Sequence, residues 1–502
     1  MSNSILPNLF FKNHLLLIFS ELALFFSGFF IFSFYFLFKH YYSKKDTTLV
    51  FLNNNLRKQI LLILFLYFFG KIYNRIGEHQ ITIFLNFFNL TEITEFLKIS
   101  LSFIVFVILF LSKNYLKDIK VNTLEYYLFF IINTFSSLLL INSLDFISFY
   151  ITLEIQSITL YLLISLLTKN AYSAESSLKY FITGGVTSLF LLFSIALIYG
   201  ITGTTNFEDL RLLLSCSNWN SLLFIAFIFL LSTFFFKLAL VPFHNWSPDV
   251  FVGSNSSLIF LLAIVPKIIF FYFFLKFYFV WFSELHFEIN NYIVIVLTSS
   301  LVWGSFMMLL QTNFKRFIAY SSIIQTSYVL TGIYLNTFAG LFAALLYYFF
   351  YLVSTYSLMN FILLNKNFRG PLNNLGYLKK HNFILFLLLS IILLSLMGLP
   401  PITGWWLKLY VITPVAGDTN YLILGSLLIA SLVSAFYYLK IVKIMIYDRQ
   451  SSFNWITLSS TNNTLIILNI ILSLFIVISF IFCYNFYYEI MEYITFKLLE
   501  MI

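Results

Sequence analysis

Four ionisable residues stand inside apolar stretches that have no general use for charge. They are Glu154 in FISFYITLEIQSITLYLL, Lys237 in LSTFFFKLALVPF, Lys267 directly after Pro266 in LLAIVPKIIFF, and Lys408 in SLMGLPPITGWWLKLYV. Placing a lysine at the centre of a membrane-spanning helix costs roughly 2.5–3.5 kcal/mol, so such a residue faces a polar interior and carries a task. The task open to Lys and Glu in a dry place is proton transfer. Burial disfavours an ammonium and a neighbouring carboxylate favours it, so a small change in their separation loads or unloads a proton. One deep glutamate against three deep lysines allows one direct pair, expected between Glu154 and Lys237. The remaining lysines are then expected to be partly neutral or hydrated. Asp145 lies nearer the start of the Glu154 segment.

The elements that hold these residues follow from composition. With 61% hydrophobic and 10% charged residues over 502 positions, the chain cannot cover a water-soluble core of its size, and lipid must be its solvent. A spanning helix takes roughly 20 apolar residues, and that rule gives about fourteen segments. They fall at 15–38, 60–73, 96–111, 126–140, 146–167, 178–199, 222–241, 258–282, 292–310, 317–335, 338–364, 383–399 continuing to 410, 422–446 and 465–486. The 66 Phe and 33 Tyr exceed what a bilayer requires and are read as compositional bias, not function. The opening residues MSNSILPNLFFKNH lack the basic region and cleavage site of a signal peptide and are not Arg-rich, so the first apolar segment is expected to be kept as a span.

Net charge is +9, but the basic residues are scattered through short loops, which argues for membrane orientation and against nucleic acid. Alternate loops, from Lys39 to Arg449, hold eighteen of them; the opposite set holds five, Lys12, Lys71, Arg75, Arg211 and Lys497. By the positive-inside rule the first set faces the matrix or cytoplasm and both termini face the other side. Six more lysines fall within or beside spans. Lys98 and Lys276 are near span ends, where snorkelling suffices. Lys179 has Glu175 one turn earlier, so a structural i,i+4 pair and a functional role are both open.

Two of the charged segments are interrupted by proline: Pro242 follows Lys237, and Pro400 and Pro401 precede Lys408. Proline removes a backbone donor and clashes with the preceding turn. Carbonyls freed at membrane depth are tolerated only beside protein or a water-lined cavity. The interruptions fall in the seventh and twelfth segments, five apart, which suggests two five-helix repeats, the second inverted relative to the first. The expected division is an N-terminal three-helix segment at 1–123, repeats at 124–290 and 291–447, and a C-terminal helix and tail at 448–502.

Redox chemistry within the chain finds little support. Cys216 and Cys483 fit no disulfide or metal framework. A haem enzyme needs histidine pairs within spans, whereas His14, His40, His79, His244, His286 and His381 lie near span ends or in loops. His244 sits beside the first interruption, where a proton relay and ordinary packing are both open. No nucleotide loop or nucleophile constellation appears.

The strings around the four charges resemble the antiporter-like membrane subunits of the proton-pumping NADH:ubiquinone oxidoreductase, respiratory complex I, its subunit 2 most of all. LEIQSITLYLL (153–163), ESSLKYFITGGVTSLFLLFSIALIYGITGTTNF (175–207), FKLALVPFHNWSPDVFVGS (236–254), LLQTNFKRFIAYSSIIQTSYVLTGI (309–333) and LMGLPPITGWWLKLYV (396–411) match its blocks in order, over roughly 124–447. The resemblance implies an all-α integral membrane fold of about fourteen helices, with inverted repeats and broken helices seven and twelve. It implies that Glu154 is the fifth-helix glutamate, Lys237 the seventh-helix lysine, Lys267 the central eighth-helix lysine and Lys408 the terminal twelfth-helix residue.

For function, the resemblance implies a proton-translocating subunit of an enzyme complex, with protons moved through buried Lys and Glu and coupled to quinone reduction elsewhere. NADH, FMN, iron–sulfur clusters and ubiquinone are then expected in partner subunits, with no cofactor or metal in this chain. The expected partners are neighbouring membrane-arm subunits, other antiporter-like ones included, and lipids. The expected location is the mitochondrial inner membrane, ahead of a bacterial plasma membrane, with both termini on the intermembrane-space side. A subunit of a cation/proton antiporter is the alternative. The sequence departs from the family pattern at Gln325, where bacterial relatives often carry His, and in VGSNS after Asp249, where an acid is usual. Gln cannot shuttle a proton by titration, so a relay at that point requires water.

Overall fold

A computed structural model describes residues 20–27, 29–30, 33, 46–73, 81–83, 86–119, 121, 123–166, 171–216, 221–280, 286–364, 371–400, 402–418, 420–447, 463–482, 489, 492 and 495. The chain divides into two compact units, residues 1–226 and 227–502. Each of the fourteen apolar segments contains helix. Among the described residues, eight helices are long and apolar enough to cross a membrane, and shorter apolar helices accompany them. Pro401, Cys483, His14, His40 and His79 lie outside the described residues.

In the first unit, residues 20–27 are helical and are followed by α1 (Asp46–Tyr73), β1 (Ile81–Ile83), β2 (Phe88–Leu90), α2 (Glu92–Leu111), α3 (Lys113–Asp118), α4 (Leu124–Asn142), α5 (Phe146–Ser165), α6 (Ala171–Thr202) and α7 (Phe207–Cys216). α1 begins at Asp46, where the apolar run alone suggests Ile60; the polar turns ahead of it are helical without being apolar enough to lie in lipid. α1 packs on α2, α2 on α4, α4 on α5 and α5 on α6. The strands form one short antiparallel hairpin, Ile81 opposite Leu90, an addition to the all-helical expectation. Leu144 N donates to Phe87 O at 2.9 Å and Phe207 N to Leu144 O at 2.9 Å, so the hairpin, the end of α4 and the start of α7 are sewn to one point. Thr91 and Thr94 form a reciprocal cap at the start of α2. Asp145, near a span start in the sequence, caps α5 by accepting from Ile147 N at 3.2 Å.

α8 (Ser221–Lys237) runs from the end of the first unit into the second. The second unit continues with α9 (Trp246–Gly253), α10 (Ser256–Val280), α11 (His286–Leu310), α12 (Phe314–Tyr334), α13 (Phe338–Leu364), a 3₁₀ turn (Leu372–Tyr377), α14 (Leu378–His381), α15 (Phe383–Met397), α16 (Thr403–Gly417), α17 (Tyr421–Tyr447) and α18 (Asn463–Phe482). α10 and α12 form its centre. The spanning window of α10 is wholly buried, and α12 is flanked by α9, α11, α13 and α16. The interior of α12 is polar, with Ser321, Ser322, Gln325, Thr326, Ser327 and Thr331 all buried. All five hydroxyls donate to the carbonyl three residues earlier in the same helix, so what they offer their neighbours is acceptor oxygens.

Both breaks end their first half with the same device. In α8, Leu240 N donates to Phe235 O at 2.8 Å and Ala239 N to Phe236 O at 2.9 Å, with Ala239 in the left-handed region at φ 59°. In α15, Leu399 N donates to Leu394 O at 3.4 Å and Gly398 N to Ser395 O at 3.1 Å, with Gly398 at φ 83°. Each is a Schellman turn, which satisfies the last carbonyls of a helix from the chain just past it. The turn therefore ends the helix ahead of the proline, and Pro242 and Pro400 stand where the chain has already left it. Gly404, on the second half of the later break, crosses so close that a Cβ there would lie 1.7 Å from Ser395 O.

Gly404→Ala should therefore force α15 and α16 apart and destabilise the protein by about 1–3 kcal/mol, the usual cost of overpacking. Gly185→Ala in α6, where a Cβ meets nothing within 4 Å, should leave stability equal or slightly higher. Thermal unfolding of the two variants side by side checks the contrast, and equal behaviour would contradict the close crossing.

Candidate functional site

The first break presents Lys237 in the last turn of α8. The second presents Lys408 on α16, buried, with Nζ donating to Met397 O at 2.6 Å. One lysine thus sits on the first half of its broken helix and the other reaches back from the second half. Lys408 thereby puts its ammonium at the carbonyl end of a half-helix, where partial negative charge accumulates, and Lys237 stands in the last turn of the corresponding half-helix. At the first break, Trp246 Nε1 donates to Phe236 O at 3.0 Å, so an indole supplies there what the lysine supplies at the second.

Lys267 follows Pro266 inside α10. It is buried at 4% exposure, with Nζ donating to the Tyr351 hydroxyl at 3.0 Å and to Ser322 O at 3.4 Å. Tyr351 in turn lines a cavity of about 20 Å3 together with Gln325, Tyr347, Ser354, Thr403 and Gly404. That volume is room for about one water molecule. The Tyr347 hydroxyl donates to Gln325 Oε1. Beside Gly404, whose carbonyl oxygen would be 3.3 Å from a Cβ on Gly398, that same Cβ would meet Lys408 Cδ at 3.0 Å. Polar groups and one water-sized space thus run from Lys267 toward the end of α15 where Lys408 lies. Among the described residues no carboxylate forms an ion pair with Lys267 or Lys408; the Tyr351 and Tyr328 rings lie 5.4 and 5.7 Å from their ammonium groups.

Glu154 belongs to the first unit, half-buried on α5, and accepts from Ser157 Oγ at 3.4 Å. Lys179 pairs with Glu175 at 2.8 Å, and both side chains are exposed at 46% and 60%, which is the i,i+4 pair the spacing offers. His244 is buried and its Nδ1 has no hydrogen-bond partner among the described residues; its ring stands 6.2 Å from that of Tyr320. Near it, Arg316 bonds Asp249 at 3.2 Å and Lys315 Nζ donates to Ser254 O at 2.7 Å, so the loop that lacks a second acid is held by basic side chains at the start of α12.

Three expectations are overturned. Lys98 does not snorkel: it is fully buried, 2.8 Å from Glu21 and 2.6 Å from Glu95. Lys71, assigned by sequence to a loop, is buried beside the same two acids at 3.1 and 2.9 Å. Glu154 is therefore not the one deep acid, because Glu21 and Glu95 are more buried than it is. The i,i+3 spacing of Glu95 and Lys98 is the one signal available in sequence; the other partners come from distant segments. Sequence reasoning also misses Tyr351, since one tyrosine among 33 carries no mark of its contact with Lys267.

Residues 143–436, more than half of the chain, match the family described as NADH:quinone oxidoreductase/Mrp antiporter, TM. The chain belongs to this family. It is 31% identical to NADH-quinone oxidoreductase subunit N of Pelagibacter ubique, over 79% of this chain and 86% of that protein. It is also 31% identical to NADH-ubiquinone oxidoreductase chain 2 of Marchantia polymorpha, over 67% and 70%. The fold is that of a chain in respiratory complex I from Thermus thermophilus, with TM-score 0.71, 23% identity and coverage of 86% of this chain and 93% of that one. It is shared with a chain of the Mrp complex from Dietzia, with TM-score 0.76, 16% identity and coverage of 95% and 97%. The family match spans Glu154, Lys237, Lys267, Lys408 and both breaks, whereas Glu21, Lys71, Glu95 and Lys98 lie before it.

The bond from Lys267 to Tyr351 is open to a double-mutant cycle. Tyr351→Phe alone should cost about 1.5–3 kcal/mol, because a buried ammonium loses a partner. Tyr351→Phe combined with Lys267→Met should cost clearly less than the sum of the singles, since nothing is then left unsatisfied. Additive losses in unfolding midpoint would contradict the contact.

Proposed function

We propose that this chain is the proton-translocating membrane-arm subunit of a respiratory NADH:quinone oxidoreductase, with Lys237, Lys267 and Lys408 as its proton carriers and Glu154 as the carboxylate that modulates Lys237. The observation that carries this reading is the run of polar groups in the second unit. A buried lysine is joined through a tyrosine hydroxyl to a water-sized cavity, and the cavity reaches the helix break over which a second buried lysine lies.

In this reading Lys237 holds a proton while a carboxylate stabilises its charge, and gives it up when that support is withdrawn. Lys267 receives the proton at the middle of the unit. The Tyr351 hydroxyl can both accept and donate, and with one water it passes the proton across Gln325, which has no titration of its own to offer. Lys408 delivers it at the far end of the path. His244, buried beside the first break with an Nδ1 that has no partner among the described residues, is assigned the relay at the entrance. Lys179 is paired at the exterior with Glu175 and is left outside the path.

The two five-helix repeats, 124–290 and 291–447, belong to this reading, with each repeat supplying one broken helix. The electron-carrying cofactors, NADH, FMN, iron–sulfur clusters and ubiquinone, are assigned to partner subunits, and the contacts of this chain to other membrane-arm subunits and lipid. The location assigned is the mitochondrial inner membrane, ahead of a bacterial plasma membrane, and the charge sorting supports termini on the intermembrane-space side. Co-purification with an NADH-oxidising assembly separates this function from that of a cation/proton antiporter subunit, which the family also contains.

Lys237→Met should abolish most of this subunit's share of proton movement while leaving the complex assembled. The measurement is protons moved per NADH oxidised in sealed membrane vesicles, with assembly followed on native gels. Normal stoichiometry in an assembled Lys237→Met complex would sink the assignment.

A further inference from the structure

Ahead of the family match, four charges close into a ring between residues 20–27, α1 and α2. Lys71 Nζ lies 3.1 Å from Glu21 and 2.9 Å from Glu95, and Lys98 Nζ lies 2.8 Å from Glu21 and 2.6 Å from Glu95. Each acid thus holds both lysines and each lysine both acids. Tyr67 donates to Glu21 Oε1 at 3.4 Å and Ser20 to Glu21 Oε2 at 2.7 Å. Among the described residues, Glu21, Tyr67, Lys71, Glu95 and Lys98 are the titratable groups that face one another here.

The geometry points to a second proton-holding site in this chain, separate from the path through Lys237, Lys267 and Lys408: the ring takes up and releases one proton with its helices in place. This inference rests on the reading of the chain as a proton-translocating subunit. A single buried ion pair cannot change charge by one unit without stripping its other member of its sole opposite neighbour. The ring can. If Glu95 is protonated, Glu21 still stands between both ammonium groups; if Lys71 is deprotonated, Lys98 still stands between both carboxylates. The ring also has an inner and an outer half. The side chains of Glu21 and Lys98 are 0% exposed, whereas Lys71 and Glu95 are 6% and 11% exposed. Uptake forms an O–H bond on a Glu95 oxygen with a proton delivered by water at that edge. Net charge rises from zero to +1, and release reverses the step. Ionisable groups placed within a membrane protein at this cost mark ion and proton routes more often than they mark anchors.

The test uses the assembled complex in sealed vesicles. Glu95→Gln fixes the ring at +1, Lys71→Met fixes it at −1, and the fourfold variant Glu21→Gln, Lys71→Met, Glu95→Gln, Lys98→Met removes every charge. Both single variants should assemble, and all three should show a loss of protons moved per NADH oxidised, with Glu95→Asp restoring it. Wild-type stoichiometry in the assembled variants overturns the proposal and leaves a structural clip. Failure of both single variants to assemble also overturns it, whatever the fourfold variant does, because the ring must survive a change of one charge. Lys237→Met in the same vesicles keeps the two readings apart. If it lowers stoichiometry while the ring variants do not, the ring proposal alone fails; if it pumps normally, the underlying assignment fails.

Discussion

Inside an apolar layer every carbonyl released from a helix must find a donor within the protein, because no solvent is there to supply one. The two broken helices release carbonyls where half-buried Lys237 and buried Lys408 stand, and that requirement organises the second unit. Schellman turns at Ala239 and Gly398 satisfy part of the demand from the chain itself. Trp246 adds a second donor to Phe236 O, which Ala239 N already reaches, and Lys408 satisfies Met397 O. A lysine that answers a structural demand of the backbone is also held in a defined place at the negative end of a half-helix. The close crossing at Gly404 follows from the same need, since the second half must approach the first for the Lys408 ammonium to reach its carbonyl.

Buried charge is handled in two ways in this molecule. In the first unit, Glu21, Lys71, Glu95 and Lys98 neutralise one another within a few ångströms, so each charge has two opposite neighbours. In the second unit, Lys267 and Lys408 have neutral oxygens and aromatic faces around them. Carbonyl dipoles and ring quadrupoles stabilise an ammonium less than a carboxylate does. The second arrangement suits a carrier that must let its proton go, the first a site whose charge is shared among several groups.

The helices are legible in the sequence because length and hydropathy govern insertion, and each apolar segment contains helix as expected. The two breaks are legible through Pro242 and Pro400, though the physical stop is a left-handed residue just before them. Gly398 advertises that conformation; Ala239 does not, because a positive φ is costly for alanine and only its surroundings hold it there. Lys267 and Lys408 declare themselves by depth. Lys98 does not, because distance from a span end is a poor measure of access to water. Its partner Glu21 lies 77 positions away, and one-dimensional spacing has no access to a pairing that tertiary packing creates. Lys71 is obscured for the same reason: a residue in the last turn of a helix counts as a loop charge until a neighbouring helix covers it.

Gln325 shows how the interior can do without a titrating residue at its centre. Its amide oxygen is bonded to the Tyr347 hydroxyl, and both line the cavity that Tyr351 shares. A histidine at this point would stop the proton for the lifetime of its own protonated state. Amide and hydroxyl groups need not carry it at all, because a hydroxyl that accepts on one side and donates on the other passes a proton by reorientation. The demand then shifts from the proton affinity of a side chain to the alignment of hydrogen bonds, which depends on the packing of α12 against α13 and α16.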